Sequence, residues 1–158
     1  MVPKIRALNE PRSRREILGG TIAALALVAV PGGQLLASTA EVDELIQKLA
    51  GGKKVQDGRI TLDLPSIAEN GLVVPLNFSV ESPMTADDYV KSVHFFADGN
   101  PNPQLADYTF TPLAPKASAQ LRIRLAKTQN ISAVAVMSNG DVYATKKEVK
   151  VTIGGCGG

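Results

Sequence analysis

Between Gly58 and Pro65 the chain alternates, with Ile60, Leu62 and Leu64 separated by Thr61 and Asp63. Side chains two apart share one face of a strand, so this run predicts a half-buried strand that Pro65 ends. Further β-rich runs follow at Leu72–Glu81, Val90–Ala97, Leu105–Thr111, Ala119–Leu125, Ile131–Met137 and Val142–Ile153. Asn70-Gly71, Asp98-Gly99-Asn100-Pro101 and Asn139-Gly140 lie between them, and Asn-Gly between two such runs is a strong hairpin signal. Ahead of the strands the period changes. Val42, Leu45, Ile46 and Leu49 recur at helical intervals, Ser38 and Glu41 have capping-box spacing, and Gly51-Gly52 stops the pattern. The pattern predicts one helix of about ten residues followed by an all-β domain. Short strands at regular spacing indicate an immunoglobulin-like β-sandwich.

The first forty residues read differently. Ser13, Arg14 and Arg15 precede the mild apolar stretch Gly19–Val30. About twelve apolar residues make a helix of roughly 18 Å, short of the ~30 Å hydrocarbon core, so an export signal fits better than a permanent span. The arginine pair points to the twin-arginine type, which carries folded proteins; a Sec signal with two adjacent arginines is the competing reading. Ala37, Ser38, Thr39 and Ala40 supply small residues for cleavage. The expected organisation is a signal over 1–40, a helix and sandwich over 41–153, and a tail over 154–158. Removal of the signal alters the charge: 17 basic residues against 15 acids become twelve against thirteen. A nucleic-acid partner thereby loses its electrostatic basis. No lipid-anchoring cysteine follows the apolar run, and the mature protein is expected in the periplasm.

One histidine, one cysteine and no tryptophan exclude an internal disulfide or a closed zinc site built by this chain. His94 shares a strand face with Ser92 and Phe96 and reads as structural. Asp87-Asp88 sits in a loop-like stretch and reads as a turn cap or solvated pair. No phosphate-binding glycine loop and no histidine cluster is present, so no cofactor or metal is expected and an enzyme acting alone is not indicated.

The last five residues stand apart. Gly154-Gly155-Cys156-Gly157-Gly158 places the only thiol two residues from the end, among four glycines, directly after a strand run. Five residues with one side chain bury almost no apolar surface, so this segment is expected to be mobile, exposed and without core contacts. Three extended residues carry Cys156 roughly 10 Å beyond Ile153, and the absent Cβ atoms let such an arm enter a narrow channel. Lys150 is the nearest cation in sequence, so the thiol is read as inert until an enzyme activates it.

Taken with the arginine pair Arg14-Arg15 and the segment Ile60–Val80 (ITLDLPSIAENGLVVPLNFSV), the terminal Gly-Gly-Cys-Gly-Gly resembles the SoxY family, the sulfur-carrier subunit of the bacterial sulfur-oxidation system. The resemblance implies a heterodimer with a second β-sandwich subunit, SoxZ, exported on this chain's signal. It implies that Cys156 holds sulfur covalently, with Gly154, Gly155, Gly157 and Gly158 forming a swinging arm. The implied partners are the c-type cytochrome SoxAX, which couples thiosulfate to the cysteine, the manganese thiosulfohydrolase SoxB, which releases sulfate, and a sulfane dehydrogenase. Two other readings compete. Gly157-Gly158 also ends sulfur carriers that use a C-terminal thiocarboxylate, although that chemistry needs ATP. A structural sandwich dimerised through a tail disulfide is the second.

Overall fold

The computed structural model describes residues 37–154. The first element is α1 (Thr39–Ala50), and it begins where the side chain of Ser38 accepts a hydrogen bond from the Glu41 amide at 3.2 Å. It ends at Gly51, whose φ of 58° is the left-handed conformation that closes a helix at low steric cost. Nine strands follow among the described residues: β1 (Val55–Gln56), β2 (Ile60–Asp63), β3 (Ile67–Asn70), β4 (Val74–Val80), β5 (Val90–Ala97), β6 (Gln104–Thr109), β7 (Ala117–Ile123), β8 (Gln129–Met137) and β9 (Val142–Ile153). The described residues are thus mostly β with a single short helix, as the alternation predicts.

The strands form two facing sheets. One runs β1-β9-β8-β5-β6 with β3 also on β9, and the other runs β2-β4-β7. Alternation places Leu76, Phe78 and Val80 of β4 against Val93, Phe95 and Ala97 of β5 and Ile131, Ala133 and Ala135 of β8, all buried in one core. Phe78 anchors it, with ring centroids 4.9 Å from Phe95 and 5.3 Å from Tyr108. The opposite face of the larger sheet is covered by α1. Val42, Ile46 and Ala50 pack there on Phe96, Val134 and Val142. Asn139-Gly140 makes the expected β8–β9 hairpin, with Gly140 at φ 82°.

Two strands depart from the sequence pattern. β1 and β3 pair with β9 in parallel, a contact between segments about 80 residues apart in the chain. β3 has no alternating apolar signature, since Ile67 is exposed and only Ala68 is buried. Its place is set by backbone pairing with the edge of β9 that faces away from β8, where the Lys150 amide donates to the Ser66 carbonyl at 3.0 Å. The β-rich runs also extend past the observed ends: Leu72, Val73 and Glu81 flank β4, and Leu125 follows β7.

Candidate functional site

Within the described residues, the site that bears on the tail is the place where β9 ends. Past Val149, β9 leaves β8, and the Val151 amide donates to Thr128 Oγ1 at 2.9 Å. The carbonyl of Ile153 accepts from the Gly71 amide at 2.8 Å, and the Gly71 carbonyl accepts from the Leu125 amide at 2.8 Å. Gly71 therefore bridges the end of β9 to the segment after β7. Gly154 follows, and a Cβ placed on it would lie 2.2 Å from the carbonyl oxygen of Ala126. A glycine is needed at Gly154 because backbone meets backbone there.

The 124–129 segment that receives Gly154 is held from inside by two buried amides. Asn100 is fully buried and Gln129 is nearly so. Asn100 Oδ1 accepts from the Ala126 amide at 2.9 Å and from Gln129 Nε2 at 2.8 Å, while its Nδ2 donates to the Arg124 carbonyl at 2.8 Å. Gln129 Nε2 also donates to the Lys127 carbonyl, and its Oε1 accepts from the Gly99 amide. The Asn100 carbonyl accepts from Ala37 at 2.8 Å, so the chain entering α1 is tied to the same knot. Next to it, Asp98 accepts from the amide and side chain of Asn130 and from Thr39 Oγ1. Burial alone would raise the Asp98 pKa. The hydrogen bonds from Asn130 and Thr39, helped by the charge of Lys146, outweigh it and hold the carboxyl below its ordinary value.

The sequence pattern identifies Asp98-Gly99-Asn100-Pro101 only as a turn. A polar residue in a turn normally faces water, so nothing local distinguishes the buried Asn100. Of the residues singled out in the sequence, Cys156, Gly155, Gly157, Gly158, Arg14 and Arg15 lie outside the described residues. Asp87 and Asp88 belong to a turn, as expected. Ser82 Oγ and the Thr85 amide donate to the Asp88 carbonyl, and Arg59 lies 3.7 Å from the Asp88 carboxylate.

His94 has more company than its sequence context indicates. Its Nδ1 lies 2.7 Å from Asp107 Oδ1 and its Nε2 2.9 Å from Ser92 Oγ, and Gln104 binds the second oxygen of Asp107. The order hydroxyl, imidazole, carboxylate is that of hydrolytic triads. Here it spans neighbouring strands on the outer face of the larger sheet, beside the part that α1 covers. β5 is paired with β6 on one side and β8 on the other, which commits its amides to the ladder and leaves no local pair for an oxyanion. Among the described residues no group of three or more His, Cys, Asp or Glu is placed to hold a metal ion. Nor is any helix among them long and apolar enough to cross a membrane.

The described residues thus form a two-sheet sandwich whose last strand is held at its end by the backbone bond from Gly71 to Ile153. The sequence matches the family described as sulfur oxidation protein SoxY over residues 46–156, and the chain belongs to that family. Among solved structures it is similar to the sulfur carrier protein SoxY from Chlorobium limicola f thiosulfatophilum, with 32% identity and a TM-score of 0.62 over 73% of this chain and 100% of that one. Superoxide reductase (neelaredoxin) from Ignicoccus hospitalis shares 18% identity, with a TM-score of 0.54 over 76% of this chain and 98% of the other. Superoxide reductase from Nanoarchaeum equitans shares 12%, with a TM-score of 0.50 over 61% and 100%. These two likenesses concern the fold alone. No curated protein matches the sequence.

Proposed function

We propose that this chain is a periplasmic sulfur carrier that holds thiosulfate-derived intermediates covalently on Cys156 and presents them to partner enzymes without being a catalyst itself. The observation that carries the reading is the family match, which runs to residue 156, on a chain 32% identical to a sulfur carrier protein. The thiolate of Cys156 joins the outer sulfur of thiosulfate, and two electrons leave to a c-type cytochrome of the SoxAX kind. The product is a cysteine S-thiosulfonate. Water then cleaves the bond between the sulfane sulfur and the sulfonate on a manganese hydrolase of the SoxB kind, releasing sulfate and two protons and leaving a persulfide. A sulfane dehydrogenase is the partner that oxidises that remaining sulfur. Each adduct stays tethered, which raises its effective concentration at the next enzyme.

The reading includes a heterodimer with a SoxZ-like subunit, an immunoglobulin-like class for the sandwich, and twin-arginine export directed by Arg14 and Arg15. We place the cut that removes the leader before Ala37. Ala37 is buried and bonded to Asn100, and Ser38 caps α1, so a cut after Ala40 would strip part of the folded domain. Mass analysis of the native C-terminal peptide tests the function. The expected result is added sulfonate, thiosulfonate or sulfane mass on Cys156, and Cys156→Ser abolishes sulfate release from thiosulfate in the reconstituted system. A thiocarboxylate on Gly158, or a symmetric disulfide alone, would overturn it.

A further inference from the structure

The contacts around Gly154 lead back to one buried side chain. Gly154 stands against the Ala126 carbonyl, where a Cβ would meet the oxygen at 2.2 Å. The Ala126 amide is bonded to Asn100 Oδ1 at 2.9 Å and the Arg124 carbonyl to Asn100 Nδ2 at 2.8 Å, so a single amide fixes the 124–126 backbone at both ends. Leu125, between them, is fully buried, and its amide donates to the Gly71 carbonyl, while the Gly71 amide holds Ile153. Asn100 is itself locked in place. Gln129 Nε2 donates to Asn100 Oδ1 at 2.8 Å, and Gln129 Oε1 accepts from the Gly99 amide at 2.7 Å. Gly99 packs so closely that a Cβ there would lie 2.8 Å from the Gln129 Cβ. A satisfied buried amide pair has one arrangement, because turning either amide sets donor against donor where water cannot intervene.

The chain thus leaves the sandwich from backbone held at two successive residues, Ile153 by Gly71 and Gly154 by Ala126. We propose that Asn100 is a positioning residue for sulfur delivery: through Ala126 it holds Gly154 to the body, so the swing of the arm begins only after Gly154 and Cys156 is presented from a fixed point. The proposal rests on the carrier reading and deepens it. It separates Gly154 from the other tail glycines, since here the missing Cβ serves a close approach rather than freedom. Ordering the backbone of one further residue as the arm enters an enzyme would weaken binding about five- to thirtyfold. A body that orders Gly154 beforehand removes that cost from every delivery.

The test has a structural arm and a kinetic arm, both on the full carrier with its partner subunit. In ¹⁵N relaxation of the wild type, Gly154 is expected to be as ordered as β9, with an order parameter of about 0.8; a value below about 0.6 overturns the clamp. In Gly154→Ala, which cannot keep the approach to Ala126, exchange of the Gly71 amide should rise about tenfold as its bond to Ile153 loosens. For the kinetics the carrier is loaded as the thiosulfonate and supplied to the partner hydrolase. If the wild type releases no sulfate, the carrier reading and the positioning role fail together, while relaxation alone judges the clamp. Asn100→Ala, assayed at a temperature where its circular dichroism matches wild type, is expected to raise KM about five- to thirtyfold with kcat within about twofold. Gly154→Ala should do the same without touching the buried pair, and iodoacetamide labelling of Cys156 should stay unchanged in both. Phe78→Leu, which loosens the core in the middle of β4, is the control for lost stability and should leave KM unaltered. An unchanged KM in both variants, or an equal rise in Phe78→Leu, overturns the proposal.

Discussion

The molecule contains two polar networks of contrasting kinds. Ser92, His94 and Asp107 line up on the outer sheet face in an order associated with catalysis; the His94 side chain is 18% exposed and that of Asp107 41%, so water reaches the row at its Asp107 end. Asn100 and Gln129 have no chemistry of their own, but they are buried and satisfy the backbone of the segment against which Gly154 rests. No buried side-chain nitrogen or oxygen among the described residues lacks a partner. The comparison teaches that burial, rather than resemblance to a catalytic motif, tells which network the fold depends on. Removing a partner inside leaves a group that water cannot reach.

The largest effect should follow Asn100→Ala. It removes the acceptor for the Ala126 amide and for Gln129 and the donor to the Arg124 carbonyl, and several lost buried bonds are expected to cost about 3 kcal/mol. Denaturant unfolding would measure the loss, and hydrogen exchange at the Ala126 amide would locate it. A change below about 1 kcal/mol would erase the distinction between the networks. Next come Ser92→Ala and His94→Gln. Part-buried pairs of this type are expected to contribute about 1 kcal/mol, and neither variant should alter sulfate release by the reconstituted system. A large loss of turnover in a stably folded Ser92→Ala would show that the surface network takes part in chemistry.

The smallest effect concerns acid. Hydrogen bonds hold the Asp98 carboxyl below its ordinary value of 3.8, against the opposing pull of burial. Its contribution is therefore complete above that value and is lost as pH falls through the lower folded one. Asp98→Asn removes the titration while keeping the shape. The difference in melting temperature between wild type and variant should be constant from about pH 7 to pH 5 and shrink below about pH 4. A difference that changes around neutrality would assign the effect to another group.

Helix α1, its Ser38 cap and its Gly51 stop were legible in the sequence because capping and helical periodicity act within a few residues. So were the alternating strands and the Asn139-Gly140 hairpin, whose signals are equally local. Cys156 and its glycines were legible as a motif for a related reason: the chemistry of a thiol among residues without side chains belongs to the covalent chain. Tertiary structure decided the rest. β1 and β3 found their places only on the edge of β9, far along the chain, where no local pattern marks them. The role of Asn100 required burial, which one turn cannot reveal. Gly154 reads in sequence as freedom and in the fold as a close approach to Ala126, because the collision a Cβ would make involves a carbonyl 28 residues earlier.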